Sequence, residues 1–186
     1  QVIFIENGSR KPIEELQISS LDLSVNKINQ VHNKYPMING KELVVSVKEN
    51  KPDSADIDFA GRYLTTKLSS KNISSHATIM STMIGGGGNS WHLGKGVAWG
   101  SKISSSDFIS LLPDPDAAYR EYNITVQNHS YGVGVESYYG SDAALYDISI
   151  LNNKKLLHIF SSGNSGLSSA PTGTYMDIPG FANLTG

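Results

Sequence analysis

Leu43-Val44-Val45-Ser46-Val47 constrains the fold of this chain more than any other stretch. It is short, apolar and β-branched, which is the pattern of a strand buried in a parallel sheet. A segment of helical period precedes it: Leu21, Val25, Ile28 and Val31 recur at three and four residues and predict a helix over 18–35. Pro36 and Asn39-Gly40 stop that helix. The alternation continues downstream. A polar, acidic loop over 48–62 leads to a predicted helix over 76–84, ended by Gly85-Gly86-Gly87-Gly88. Gly96-Val97-Ala98-Trp99-Gly100 leads into a predicted strand over 102–109, and a short helix over 117–122 precedes a strand over 124–128. Ala144, Leu145, Ile148 and Leu151 share one face of a predicted helix over 141–152, and a last strand covers 156–160. Val2 to Glu6 alternates and reads as a short strand ahead of the rest. Strands alternating with helices define an α/β fold with a mostly parallel sheet flanked by helices.

The bulk figures narrow the function. At 186 residues and 39% hydrophobic, the chain suits one domain with a sizeable core. A formal net charge of −2 gives no electrostatic case for nucleic acid or an anionic membrane surface. No stretch approaches the ~20 consecutive apolar residues of a membrane span. Cysteine is absent, which excludes disulfides, thiolate metal sites and a cysteine nucleophile. The chain starts at Gln1 with no signal-peptide pattern, so the expectation is a leader already removed or a trimmed chain. Richness in Asn, Ser, Tyr and Gly fits a secreted or cell-surface protein. The Gly- and Pro-rich tail over 170–186 ends with no element to pack against, so the chain reads as part of a domain.

Four features then stand in one order. Val45, Val47 and Glu49 share strand parity, which puts a carboxylate at the end of the first core strand. Ser75-His76-Ala77-Thr78 sets a histidine at a helix start rich in small residues. Asn128-His129-Ser130-Tyr131-Gly132 carries a strand end into a turn. Finally, Leu156-Leu157-His158-Ile159-Phe160 drops into Ser161-Ser162-Gly163-Asn164-Ser165-Gly166 and leaves the amide of Asn164 at a strand's carboxyl end, where ligands gather in open α/β sheets. Alone, that Asn is a residue that closes a turn. Together the four resemble the subtilisin-like serine proteases, the subtilases, over roughly Lys27 to Gly166. Gly94-Lys95-Gly96-Val97-Ala98 is similar to that family's Gly-Val-Ala stretch, and Asp58-Phe59-Ala60-Gly61-Arg62 to its Asp-Leu-x-Gly-Arg.

The resemblance implies a three-layer subtilisin-like fold, incomplete in this chain. Residues 1–186 would be the N-terminal portion of a single peptidase domain, with a leading strand and helix over 1–40 and an α/β core over 41–186. It implies Glu49 as the catalytic acid, His76 as general base and Asn164 as oxyanion donor. Ser130, Tyr131 and Gly132 would be the substrate-binding edge on which a peptide pairs as an added strand. The chain departs from the family where Glu replaces the usual Asp, where Ala77 replaces Gly, and where Ile79 replaces a second His. An alignment putting Lys48 at the acid position would break the triad. No Gly-Thr-Ser-x-Ala-x-Pro nucleophile motif occurs, so the serine is expected in a companion chain or a continuation.

Other features carry less. The Gly85–Gly88 run lacks a following Gly-Lys-Ser/Thr and follows a helix, which disfavours a phosphate loop. Trp91, Trp99 and Tyr138-Tyr139 are expected in core or pocket-rim packing. Pro113, Asp114 and Asp116 read as a capped turn ahead of calcium binding, and Asp53, Asp56 and Asp58 as turn-capping carboxylates. His92, His129 and His158 read as loop, surface and strand residues. Neither a metal nor a cofactor is expected. The leading function is a serine endopeptidase acting on peptide or protein substrates. A catalytically inactive binding or scaffold module on the same fold, or an unrelated small-molecule-binding α/β domain, are the alternatives.

Overall fold

The structure, a computed structural model, describes residues 13–14, 23–132, 137–164, 166–169 and 174–180. The strand expected over 2–6, the part of the first helix before residue 23, and most of the tail lie outside them. A short strand β1 (Ile13–Glu14) precedes helix α1 (Ile28–Lys34) and strand β2 (Val44–Lys48). Helix α2 (Ser75–Gly85), strand β3 (Lys102–Ser106), helix α3 (Asp116–Glu121) and strand β4 (Val126–His129) follow. Strand β5 (Tyr131–Gly132), helix α4 (Ser141–Asn152) and strand β6 (Leu157–Phe160) complete the order.

Four strands form one sheet in the order β3-β2-β4-β6, and every pairing in it is parallel. The registers Val45↔Val126↔Leu157 and Val47↔Asn128↔Ile159 place Glu49, Ser130 and Asn164 beyond the carboxyl ends of three adjacent strands. Strand β2 is buried along its whole length, with Val44, Val45 and Val47 apolar and Ser46 and Lys48 buried beside them. Its two faces bury against different layers. Val45 packs with Ile103, Phe59 and, from α2, Ile84. Val44 packs on the opposite face with Tyr119 of α3, Ile124 and Leu156. The sheet therefore lies between α2 and the α3–α4 layer, a three-layer α/β arrangement.

Three elements differ from the sequence reading. Helix α1 starts at Ile28 because Lys27 sits in the left-handed region at φ 59° with no capping side chain, and residues before it form turns. Strand β3 ends at Ser106, where the Asp107 carboxylate accepts the Ile109 N–H and turns the chain away. Helix α4 has the expected span, but Leu145, Ile148 and Leu151 are exposed. It packs through the spacing of Tyr146, Ser149 and Asn153, with Ser149 buried, because the β6 residue facing it is a histidine that needs polar partners. Trp91, Tyr138 and Tyr139 are also exposed, contrary to the packed positions expected for them. Among the described residues no helix is long and apolar enough to cross a membrane.

Candidate active site

Helix α2 begins at a cap built from its own sequence. The Ser74 hydroxyl accepts the Ala77 N–H at 3.3 Å, and the Thr78 hydroxyl donates to the Ser74 carbonyl at 3.0 Å. Thr78 also accepts the Asp53 N–H at 2.9 Å, tying the helix start to the loop after β2. Ala77 is fully buried, so the small residue allows the helix to lie close on the sheet. This seating presents His76 to the end of β2.

There the His76 Nδ1 lies 2.8 Å from Glu49 Oε1. Glu49 is fully buried and its backbone N–H donates to the Ser106 carbonyl at 2.7 Å, which holds the residue in line with β2. A buried carboxylate accepting an Nδ1–H fixes the tautomer, leaves Nε2 as the basic nitrogen and favours the imidazolium. The alternative acid position, Lys48, points to the other face: its Nζ sits 2.8 Å from Asp114 Oδ1. Strand parity thus separates the two neighbours, and only Glu49 shares a face with His76.

One strand over, Asn128 Nδ2 donates to the Ser130 hydroxyl at 2.7 Å. The sequence alone marks Asn128 as a strand-end residue, with no sign of this contact. Beyond it, β5 pairs antiparallel with β1, Ile13 opposite Gly132 and Glu14 opposite Tyr131. The Ser130–Gly132 edge therefore accepts an extended backbone in this molecule. The Tyr131 side chain is buried and turns inward, its hydroxyl 2.9 Å from His129 Nδ1, so only its backbone belongs to the edge. Asn164 lies after β6 and is exposed. Topology puts it at the same end of the sheet as Glu49 and Ser130, two strands from β2.

The remaining candidates have structural partners. Asp53 accepts the Ala55 N–H and Asp56 the Asp58 N–H, each closing a turn. Asp58 is buried under the Gly85–Gly88 run, where it accepts the N–H groups of Asn89 and Ser90 and the Ser90 hydroxyl. Burial pushes its carboxyl up, yet those hydrogen bonds, with one from Gly88, outweigh it and hold the group below its ordinary value. The glycine-rich loop thus wraps an internal carboxylate in place of a phosphate. Arg62 fastens the same corner, donating to the carbonyls of Gly85 at 2.6 Å, Ser101 at 2.8 Å and Asp58. Asp114 accepts from Lys48, Ser106 and Gln127, and Asp116 from Asn152 and Asn153. Among the described residues no group of acidic or histidine side chains has the arrangement of a metal site. His129, read as a surface residue, is fully buried.

The Subtilase family model matches residues 16–185. Among solved structures, the chain is similar to the prenylagaramide maturation protease PagA, at 16% identity and a TM-score of 0.55, over 75% of this chain and 52% of that one. The patellamide maturation protease PatA gives 15% identity and a TM-score of 0.52, over 69% of this chain and 51% of that one. The CspB protease of Clostridium perfringens gives 17% identity and a TM-score of 0.52, over 75% of this chain and 39% of that one. The chain thus spans about half the length of these structures or less. At such identities the likeness speaks for the fold. No curated protein sequence matches.

Proposed function

The chain belongs to the subtilase family, and from that premise we propose that it is the N-terminal part of the catalytic domain of a serine endopeptidase. The observation that carries this reading is the 2.8 Å contact between His76 Nδ1 and buried Glu49, at the carboxyl end of a parallel sheet. In the proposed mechanism Glu49 orients His76, and His76 Nε2 takes the proton of a serine hydroxyl supplied by polypeptide outside this sequence. The oxygen attacks the scissile carbonyl, and the Asn164 amide donates to the resulting oxyanion. His76 then returns its proton to the leaving amine, and water repeats the sequence to release the acyl group. The substrate backbone pairs with Ser130–Gly132, in the place where Ile13–Glu14 lies here.

A second reading is a catalytically inactive subtilase-like module that binds peptides. The sequence features favouring it are the departures from the family pattern at Lys48-Glu49-Asn50 and at Ala77. A fluorophosphonate probe applied to the polypeptide as its source makes it, with the labelled residue mapped, separates the two. Labelling of a serine in a Gly-Thr-Ser context, lost in His76→Ala, is expected for the endopeptidase. An intact folded protein that binds peptides and takes no label overturns it in favour of the module.

A further inference from the structure

Beneath the Ser130–Gly132 edge lies a line of buried and half-buried polar side chains that the proposed chemistry does not use. Leu111 offers a carbonyl that can only accept, so the Tyr146 hydroxyl donates to it at 2.8 Å. With that proton committed, Tyr146 accepts from the Tyr131 hydroxyl at 3.4 Å. Tyr131 in turn must accept from His129 Nδ1–H at 2.9 Å. A neutral His129 then presents a bare Nε2, which accepts from His158 Nδ1–H at 3.0 Å. His158 Nε2 is left to accept from the Ser149 hydroxyl at 3.3 Å. One carbonyl thereby fixes the direction of every hydrogen bond and the tautomer of both rings.

We propose that His129 and His158 are positioning residues of the substrate edge: two neutral Nδ1–H imidazoles that fasten Tyr131, and with it the backbone of β5, to the sheet and α4. The proposal rests on the reading of Ser130–Gly132 as that edge. His129 is fully buried and stacks on Phe160 with ring centroids 4.1 Å apart, while Tyr146 stands edge-on to it at 5.4 Å. Tyr131 is held from its other side by Phe108 at 5.7 Å. The charged and titratable groups around the pair are Lys48 of β2, Asp114 ahead of α3, Tyr119 of α3, Tyr146 of α4 and Tyr131 itself. Burial first, then His158 and Lys48, push His129 down to about 2. Burial lowers His158 to about 4, against the pull of Asp114 and with the push of Lys48. A proton therefore favours the undocked edge, whose imidazoles titrate near their ordinary 6.5. Below that value the docked-to-undocked ratio falls by up to about tenfold per pH unit for each proton taken up.

The test is nuclear magnetic resonance of the whole chain with labelled histidine and backbone nitrogen, from pH 8 to pH 4. At pH 7 both rings are expected as Nδ1–H tautomers. On acidification the Tyr131 and Gly132 amide signals are expected to move between pH 6.5 and 4, while Val45 and Ile103 stay fixed. In His158→Gln, which keeps a hydrogen-bonding side chain and removes that ring's titration, the movement is expected to shrink to the part that His129 alone drives. An Nε2–H tautomer at either ring in the unaltered chain overturns the proposal without any variant. So does an identical acid shift of Tyr131 and Gly132 in His158→Gln. These readouts use no peptide, so failure of the peptidase reading leaves them standing, and their failure leaves the serine-labelling result untouched.

Discussion

Asp114→Ala tests the buried charge pair next to the proposed acid, Glu49. Lys48 is fully buried, and its ammonium has the Asp114 carboxylate at 2.8 Å and the Asp107 carbonyl at 3.4 Å. Asp114 also accepts from the Ser106 hydroxyl at 2.8 Å and from Gln127 Nε2 at 2.7 Å. Removing the carboxylate leaves the ammonium with the longer contact alone, a loss of about 3–5 kcal/mol. Gln127 Nε2 keeps the Ser46 hydroxyl at 3.4 Å, and its weakened bonding adds part of the roughly 1–3 kcal/mol of an unmet buried donor. The two losses share partners and do not add fully, so about 4–6 kcal/mol is expected. That is about half of the stability of an ordinary domain, roughly 5–15 kcal/mol. Replacing both partners by apolar residues of similar volume, Lys48→Met with Asp114→Leu, removes the charge and its partner together. That pair is expected to be more stable than Asp114→Ala by about 3–5 kcal/mol, falling short of the native chain by what the Gln127 and Ser106 donors lose with the carboxylate. Urea unfolding followed by circular dichroism on the native chain, Asp114→Ala and the double variant reads all three values. If Asp114→Ala costs less than about 1 kcal/mol, or the double variant is no more stable than Asp114→Ala, the pair is not what holds this face.

Glu49→Gln keeps the shape beside His76 and removes the charge that favours the imidazolium, so fluorophosphonate labelling of the whole protein is expected to slow by at least about 100-fold at neutral pH. An unchanged rate with unchanged circular dichroism would remove Glu49 from the proposed triad. Gly96→Ala places a Cβ 2.6 Å from both the Gly85 nitrogen and the Thr82 carbonyl, backbone atoms of the last turn of α2. A loss of about 1–3 kcal/mol in urea unfolding is expected, and none at all would contradict the close approach. The pH dependence of stability follows from the lowered values of His129 and His158. The unfolded chain takes up protons near 6.5 that the folded chain refuses, so their stabilisation is whole above that pH and is lost as pH falls, toward 4 for His158 and on toward 2 for His129. For His158, partly open to solvent, about 1–2 kcal/mol is expected to disappear by pH 5. His158→Gln should flatten that part of the curve, and an unaltered curve would refute the assignment.

What could be read from the residues was whatever follows a period or a local cap. The parity of Val45, Val47 and Glu49 gives the acid its facing without knowledge of any partner, and the small residues around His76 mark a helix start that can lie close to a strand. What stayed hidden depends on partners distant in sequence. Helix α4 shows its apolar side at Leu145, Ile148 and Leu151, yet buries the side carrying Ser149. Periodicity reports which side of a helix is apolar, and only the opposing surface decides which side is covered. Here the opposing surface is His158, and its neighbour on the next strand is His129. The same holds for Lys48, which in an isolated strand reads as solvated until Asp114, remote in sequence, supplies its counter-charge. These hidden residues fall on one face: Ser46, Lys48, Gln127 and His129 are all fully buried on the α3–α4 side of the sheet. An apolar layer there would hold the strands as well, so their shared position under Glu49 and the Ser130–Gly132 edge calls for a reason beyond packing. Polar side chains with fixed donor directions hold a backbone at one angle, whereas apolar contacts let it slide. The proposed hydrolytic site needs that restriction, because His76 and the Ser130–Gly132 edge would have to keep their relative geometry through each turnover.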